Sequence, residues 1–216
     1  MSSIRGVMLL PISARSYRSH TAHHAFVNKV NAPETVADPN LALSRLVENR
    51  VRGEVAQQLS PTDYRVLRWE QRDTLNRFCV RFRELDGVFE AGNRTTVILE
   101  VKASASKGSI KSGLAQLRAA VNTASHAQPR MVGILAIADM GEWFDTFGPS
   151  PARPLADHFA GMDVTLLDWP PRLPEDSTDG IFVTLVPAEV VGGWLPAESL
   201  EGLQWSPIRL VRQALA

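Results

Sequence analysis

The sequence predicts an α/β protein, a mixed central β-sheet flanked by helices. Three observations carry that prediction. Apolar residues recur every fourth position from Leu41 to Leu59, and a second helical pattern runs from about Ser109 to Ala124. Strand-like apolar runs fill residues 64–69, 77–90, 95–103 and 131–138. The two kinds of segment follow one another as α-β-β-β-α-β, an order that calls for a sheet with helices on its faces.

In the first helix Leu43, Val47, Val51, Val55 and Leu59 make the apolar stripe, and Asp38 or Asn40 caps its start around Pro39. Ser60-Pro61-Thr62-Asp63 ends it, and Tyr64 to Trp69 reads as a strand. Residues 77–90 form one long strand pattern and 95–103 the next. Met131 to Ala138 is a continuous apolar run, the mark of a strand covered on both faces. Beyond it, Pro151–Ala160 reads as a short helix, and Val164–Leu167 and Ile181–Val186 as further strands among many prolines. The expected organisation is an N-terminal arm over 1–40, a core over 41–138, and an acidic C-terminal extension over 139–216 that packs on the core with appended β and loop elements.

A length of 216 residues with 44% hydrophobic composition is enough for one domain with a real core. No apolar run approaches the roughly 18 residues of a membrane span, so no membrane partner is expected. The first residues lack the small-residue cleavage pattern of a signal peptide. Cys79 is the single cysteine and lies in an apolar run, which reads as core in a reducing cytoplasm. Residues 13–40 are polar, with His20, His23, His24 and two prolines. They show no sustained period and no rigid pair of histidines one helical turn apart, so they read as a solvated arm.

The formal net charge of zero conceals an asymmetry. Residues 1–138 carry 19 Lys+Arg against 11 Asp+Glu, a net +8, while residues 139–201 carry 2 against 12, a net −10. The basic part suits an anionic partner, and the acidic part suits a protein partner, a shield for the basic face, or plain solvated surface.

The chemistry concentrates in Asp86-Gly87 at the end of one strand and Glu100-Val101-Lys102 on the next. Period-two alternation puts Glu100 and Lys102 on one face. A three-residue hairpin loop, Gly92-Asn93-Arg94, places Asp86 opposite Glu100, and Gly and Asn tolerate the positive φ such a loop needs. A two-residue loop would send the carboxylates to opposite faces. Two adjacent carboxylates repel without a cation between them. Their hard oxygens suit Mg²⁺, with Mn²⁺ as a substitute, and the Val101 carbonyl can add a ligand. A lysine beside the ion can orient an attacking water and stabilise developing negative charge.

These residues resemble the PD-(D/E)XK nuclease superfamily over about residues 41–138. Asp86 matches its first motif and Glu100-Val101-Lys102 its E-X-K motif, although no proline precedes Asp86. The resemblance implies an αβββαβ restriction-endonuclease-like core and a Mg²⁺-dependent nuclease with catalytic Asp86, Glu100 and Lys102. It also implies a glutamate from the preceding helix and a glutamine or lysine from the following one. With Val47 at zero, Val51 lies at about +40°, Glu54 at about −20° and Glu48 at about +100° around the helix. Glu54 is therefore favoured as the added metal ligand, with Glu48 as the alternative, and Gln116 is the match on the second helix. Residues 101–138 hold five basic residues and no acid, so Lys107, Lys111 and Arg118 are expected to contact phosphates. The expected activity is endonucleolytic cleavage of DNA, by family analogy in defence or in a mobile element. RNA cleavage and a non-catalytic binding or assembly role are the alternatives, and a homo-oligomer fits any of them.

Overall fold

Val47, Val51 and Val55 are fully buried, and they fix helix α2 (Pro39–Val55) to one face of the protein's main sheet. Pro39 opens that helix, where a missing N–H costs nothing. The computed structural model describes residues 4–31, 39–103, 107–138 and 158–194. Its strands are β1 (Ile4–Leu10), β2 (Ser60–Pro61), β3 (Val66–Arg72), β4 (Phe78–Glu84), β5 (Gly87–Ala91), β6 (Thr95–Lys102), β7 (Met131–Ala138), β8 (Thr165–Leu167) and β9 (Ile181–Val186). Besides α2 the helices are α1 (Arg15–Asn31), α3 (Lys107–Ala124) and α4 (Ala188–Trp194). No helix among the described residues is long and apolar enough to cross a membrane.

The protein is mixed α/β with a central mixed sheet between helices. Six strands run in the order β2-β5-β6-β7-β9-β8, and three more form a separate sheet, β1-β3-β4. The hairpin pair β5–β6 is antiparallel, whereas β6, β7, β9 and β8 are mutually parallel. Helix α3 makes the crossover from β6 to its parallel neighbour β7. The near-continuous apolar runs follow from this placement. Val97, Leu99, Val101, Val132, Ile134 and Ala136 meet α2 and α4, while Ile98, Leu135 and Ile137 meet Ile110, Leu114 and Leu117 of α3. Gly133 lets α3 approach closely, since a Cβ there would come within 2.9 Å of the Leu117 side chain.

Four expectations need correction. The described part of residues 1–40 is not an irregular arm: β1 pairs with β3, and 15–31 form α1. Tyr17 and His20 lay their rings against Phe82, and the Tyr17 hydroxyl donates to Glu84 at 2.9 Å. The run 77–90 is not one strand but two, β4 and β5, in different sheets. The third correction concerns the C-terminal part, where β9 is not appended. It lies inside the central sheet, between β7 and β8. Most of the expected helix over 151–160 and the flanking stretches 139–157 and 195–216 lie outside the described residues. Lastly, the positive φ of the β5–β6 loop falls on Arg94, at 57°, rather than on Gly92 or Asn93.

Leu117 is fully buried where α3 crosses Gly133. Leu117→Ala should lower unfolding stability by about 2–5 kcal/mol, while Lys111→Ala on the exposed side of α3 stays within about 0.5 kcal/mol of the parent. Urea unfolding followed by circular dichroism measures both.

Candidate active site at the strand break

Asp86 stands where the chain leaves one sheet and enters the other. Leu85 still belongs to the small sheet, donating its N–H to the Arg65 carbonyl at 2.8 Å. Gly87 opens β5, opposite Leu99. The carbonyls of Leu85 and Asp86 take side-chain donors instead of strand partners. Arg65 Nε donates to Leu85 at 3.3 Å, and Arg52 Nε, from α2, donates to Asp86 at 2.5 Å. Gly87 is needed here, because a Cβ would lie 2.7 Å from the Phe89 ring.

The hairpin closes with Ala91 opposite Thr95, around the three-residue turn Gly92–Arg94. Carried one step past Gly87–Leu99, that register sets Asp86 against Glu100. Asp86 Oδ2 accepts the Val101 N–H at 2.7 Å. A strand residue presents its N–H and C=O on the same edge, so the Val101 carbonyl also lies on the Asp86 edge.

Glu100 is only 5% exposed. Its Oε1 takes Lys102 Nζ at 2.7 Å and its Oε2 takes the Arg83 guanidinium at 3.1 Å. Arg83 also donates to the Gln116 carbonyl at 2.7 Å, which ties β4 to α3. Burial pushes the Glu100 carboxyl above its ordinary range; the Lys102 hydrogen bond opposes this and the Asp86 charge adds to it. Glu48 is raised as well, first by burial and next by the charge of Asp86, with Lys102 and Arg52 opposing and Glu100 adding. The Asp86 charge thus acts on both Glu48 and Glu100.

The remaining expected residues divide. On α2, the charges of Asp86 and Glu100 both act on Glu48, while Glu54 is half-buried on the same helix. The Gln116 side chain is exposed, and the residue reaches the site only through its carbonyl. In its place on α3 stands Gly113, where a Cβ would come within 2.8 Å of Lys102 Cγ and Cε. Arg118 donates to the Asp163 carbonyl at 3.0 Å. Lys111 is exposed, and the Lys107 side chain lies outside the described residues. The residues not anticipated are Arg83, Arg52 and Gly113. Arg83 stands three residues before Asp86, which plain alternation would put on the opposite face, so it joins the site only because the chain changes sheets between β4 and β5.

Among the described residues no group of three His, Cys, Asp or Glu side chains is arranged to hold a metal ion. The donor set that the hairpin register offers is smaller: Asp86, Glu100 and the Val101 carbonyl. Its chemistry fits Mg²⁺, which binds through one or two carboxylates and keeps several waters for substrate oxygens to replace. Burial first, and the Asp86 charge after it, raise both Glu48 and Glu100, and a nearby cation would favour their charged forms. Neither family models nor curated proteins nor solved structures compared with this chain give a match.

Gly113→Ala should improve the intrinsic helix propensity of α3 by up to about 1 kcal/mol while forcing Lys102 to move. The expected result is a melting temperature close to the parent together with at least about a tenfold loss of any metal-dependent activity, a barrier change of about 1.4 kcal/mol. Thermal melting and single-turnover rates check the two halves separately.

Proposed function

We propose that this chain is a metal-dependent nuclease of the PD-(D/E)XK type, acting on DNA. The observation that carries this reading is the odd-loop register, which sets Asp86 against Glu100 with Lys102 on the same strand face. The chain order α2, β3, β4, β5, β6, α3, β7 supports an αβββαβ core if β4 and β5 count as one interrupted strand, with β3 and β4 in the smaller sheet. The basic balance of residues 1–138 supports an anionic substrate.

Asp86, Glu100 and the Val101 carbonyl would hold Mg²⁺, with Glu48 beside them. When bound, the ion supplies neutralisation of the scissile phosphate and a lowered pKa for the attacking water. Lys102 would donate one of its three ammonium N–H groups to that water or to the developing oxyanion while another holds Glu100 Oε1. Arg83 stays bonded to the Gln116 carbonyl and holds Glu100 in one rotamer. Arg52 fixes the Asp86 main chain and so the direction of its carboxylate. Lys111 extends from the exposed side of α3, where it suits a phosphate contact.

One observation favours a second reading, a non-catalytic binding or assembly protein on this fold. Glu100 is already neutralised by Lys102 and Arg83, so the cluster is electrostatically complete as it stands.

Incubation of plasmid DNA and of RNA with the purified chain, in Mg²⁺, Mn²⁺ or EDTA, separates these readings. The expected outcome is cleavage of DNA with either ion and none in EDTA. Asp86→Asn, Glu100→Gln and Lys102→Ala should each lower the rate by about 100-fold or more, of the order lost with one electrostatic donor. Glu48→Gln should lower it more than Glu54→Gln. Because Glu48 and Glu100 are both raised above the ordinary carboxylate value of 4.5, the rate should rise with pH through an acid limb above that value. Absence of cleavage in every arm, with intact nucleic-acid binding, would favour the second reading.

A further inference from the structure

The three histidines near the N-terminus have no part in the carboxylate site. In α1, His20 and His24 stand one turn apart, the spacing that puts two side chains on one helix face. Their ring centroids are 4.3 Å apart, and the His20 ring is seated against Phe82 at 4.8 Å. His23 lies farther round, with its ring 6.1 Å from that of His24. None of the three donates or accepts a hydrogen bond among the described residues, so their ring nitrogens are open to a ligand.

We propose that His20 and His24 form a binding site for one transition-metal ion of the Zn²⁺, Ni²⁺ or Cu²⁺ class, distinct from the carboxylate group. Neutral imidazoles favour these ions over Mg²⁺, whose preference is for oxygen. Two imidazoles one helical turn apart are a known ligand spacing for zinc. No group of three ligating side chains exists among the described residues, so water completes the coordination. An ion held there clips one turn of α1, the helix that rests on β4 through Phe82 and Glu84.

The test is a Zn²⁺ titration of the full chain against a competing chromophoric chelator, in excess Mg²⁺ to occupy the carboxylate site. Wild type, His23→Ala and Glu100→Gln should each take up one equivalent. His24→Ala and His20→Gln should lose it, with unchanged circular dichroism. Zn²⁺ should also raise the melting temperature of wild type and leave that of His24→Ala unmoved, since an ion bound only to the folded state stabilises it. The proposal is overturned if wild type takes up no ion. It is equally overturned if His24→Ala keeps the equivalent, or if Glu100→Gln loses it, which would assign the ion to the carboxylates.

Discussion

Where β4 passes into β5, the Leu85 and Asp86 carbonyls give up strand pairing, and each takes an arginine in exchange. An unpaired buried carbonyl costs about 1–3 kcal/mol. Arg65 and Arg52 therefore make the break affordable, and the break makes the rest of the site possible. It lets one run of chain serve two sheets, and it leaves Asp86 at the mouth of the central sheet rather than inside a ladder. Asp86 is then free to bond the Val101 amide with its side chain. A straight strand would keep the aspartate in regular pairing.

The second constraint is the burial of Glu100. A carboxylate 5% exposed on a sheet packed between helices must be compensated. Two cations do this from different elements, Lys102 from the same strand and Arg83 from the small sheet. Arg83 reaches on to α3, so three elements converge on one oxygen pair. Such clusters contribute little net stability as ion pairs, but removing one partner costs about 3–5 kcal/mol because a charge is left buried. The same feature carries both functional readings, since an ion can replace part of this compensation or the cluster can stand complete.

Much of the fold was legible because burial on both faces leaves a strong pattern. The stripe Val47–Val51–Val55 gave α2, and the apolar runs of β6 and β7 gave two central parallel strands. Helix α1 was invisible for a physical reason. Among its described side chains, Tyr17 and His20 make the ring contacts with β4, both on a single phenylalanine, and neither residue type marks an apolar period. The break at Leu85–Asp86 has no proline and keeps its alternation, so it read as one strand. At the site, the hairpin register followed from loop length. The choice between Glu48 and Glu54 did not, because they flank the valine stripe by about 60° on either side. Which flank meets the site depends on how α2 lies across the sheet, and a helical wheel contains no such information. Gly113 escaped because a residue without a side chain leaves no mark on a periodicity, although its absence of a Cβ is what makes room for Lys102.

The most direct measurement is a crystal structure of the chain grown with Mn²⁺, with the ion located by its anomalous scattering. One peak is expected between the Asp86 and Glu100 carboxylates and the Val101 carbonyl. Saturating Mn²⁺ with no peak there, and with Glu100 still bonded to both Lys102 and Arg83, would contradict it.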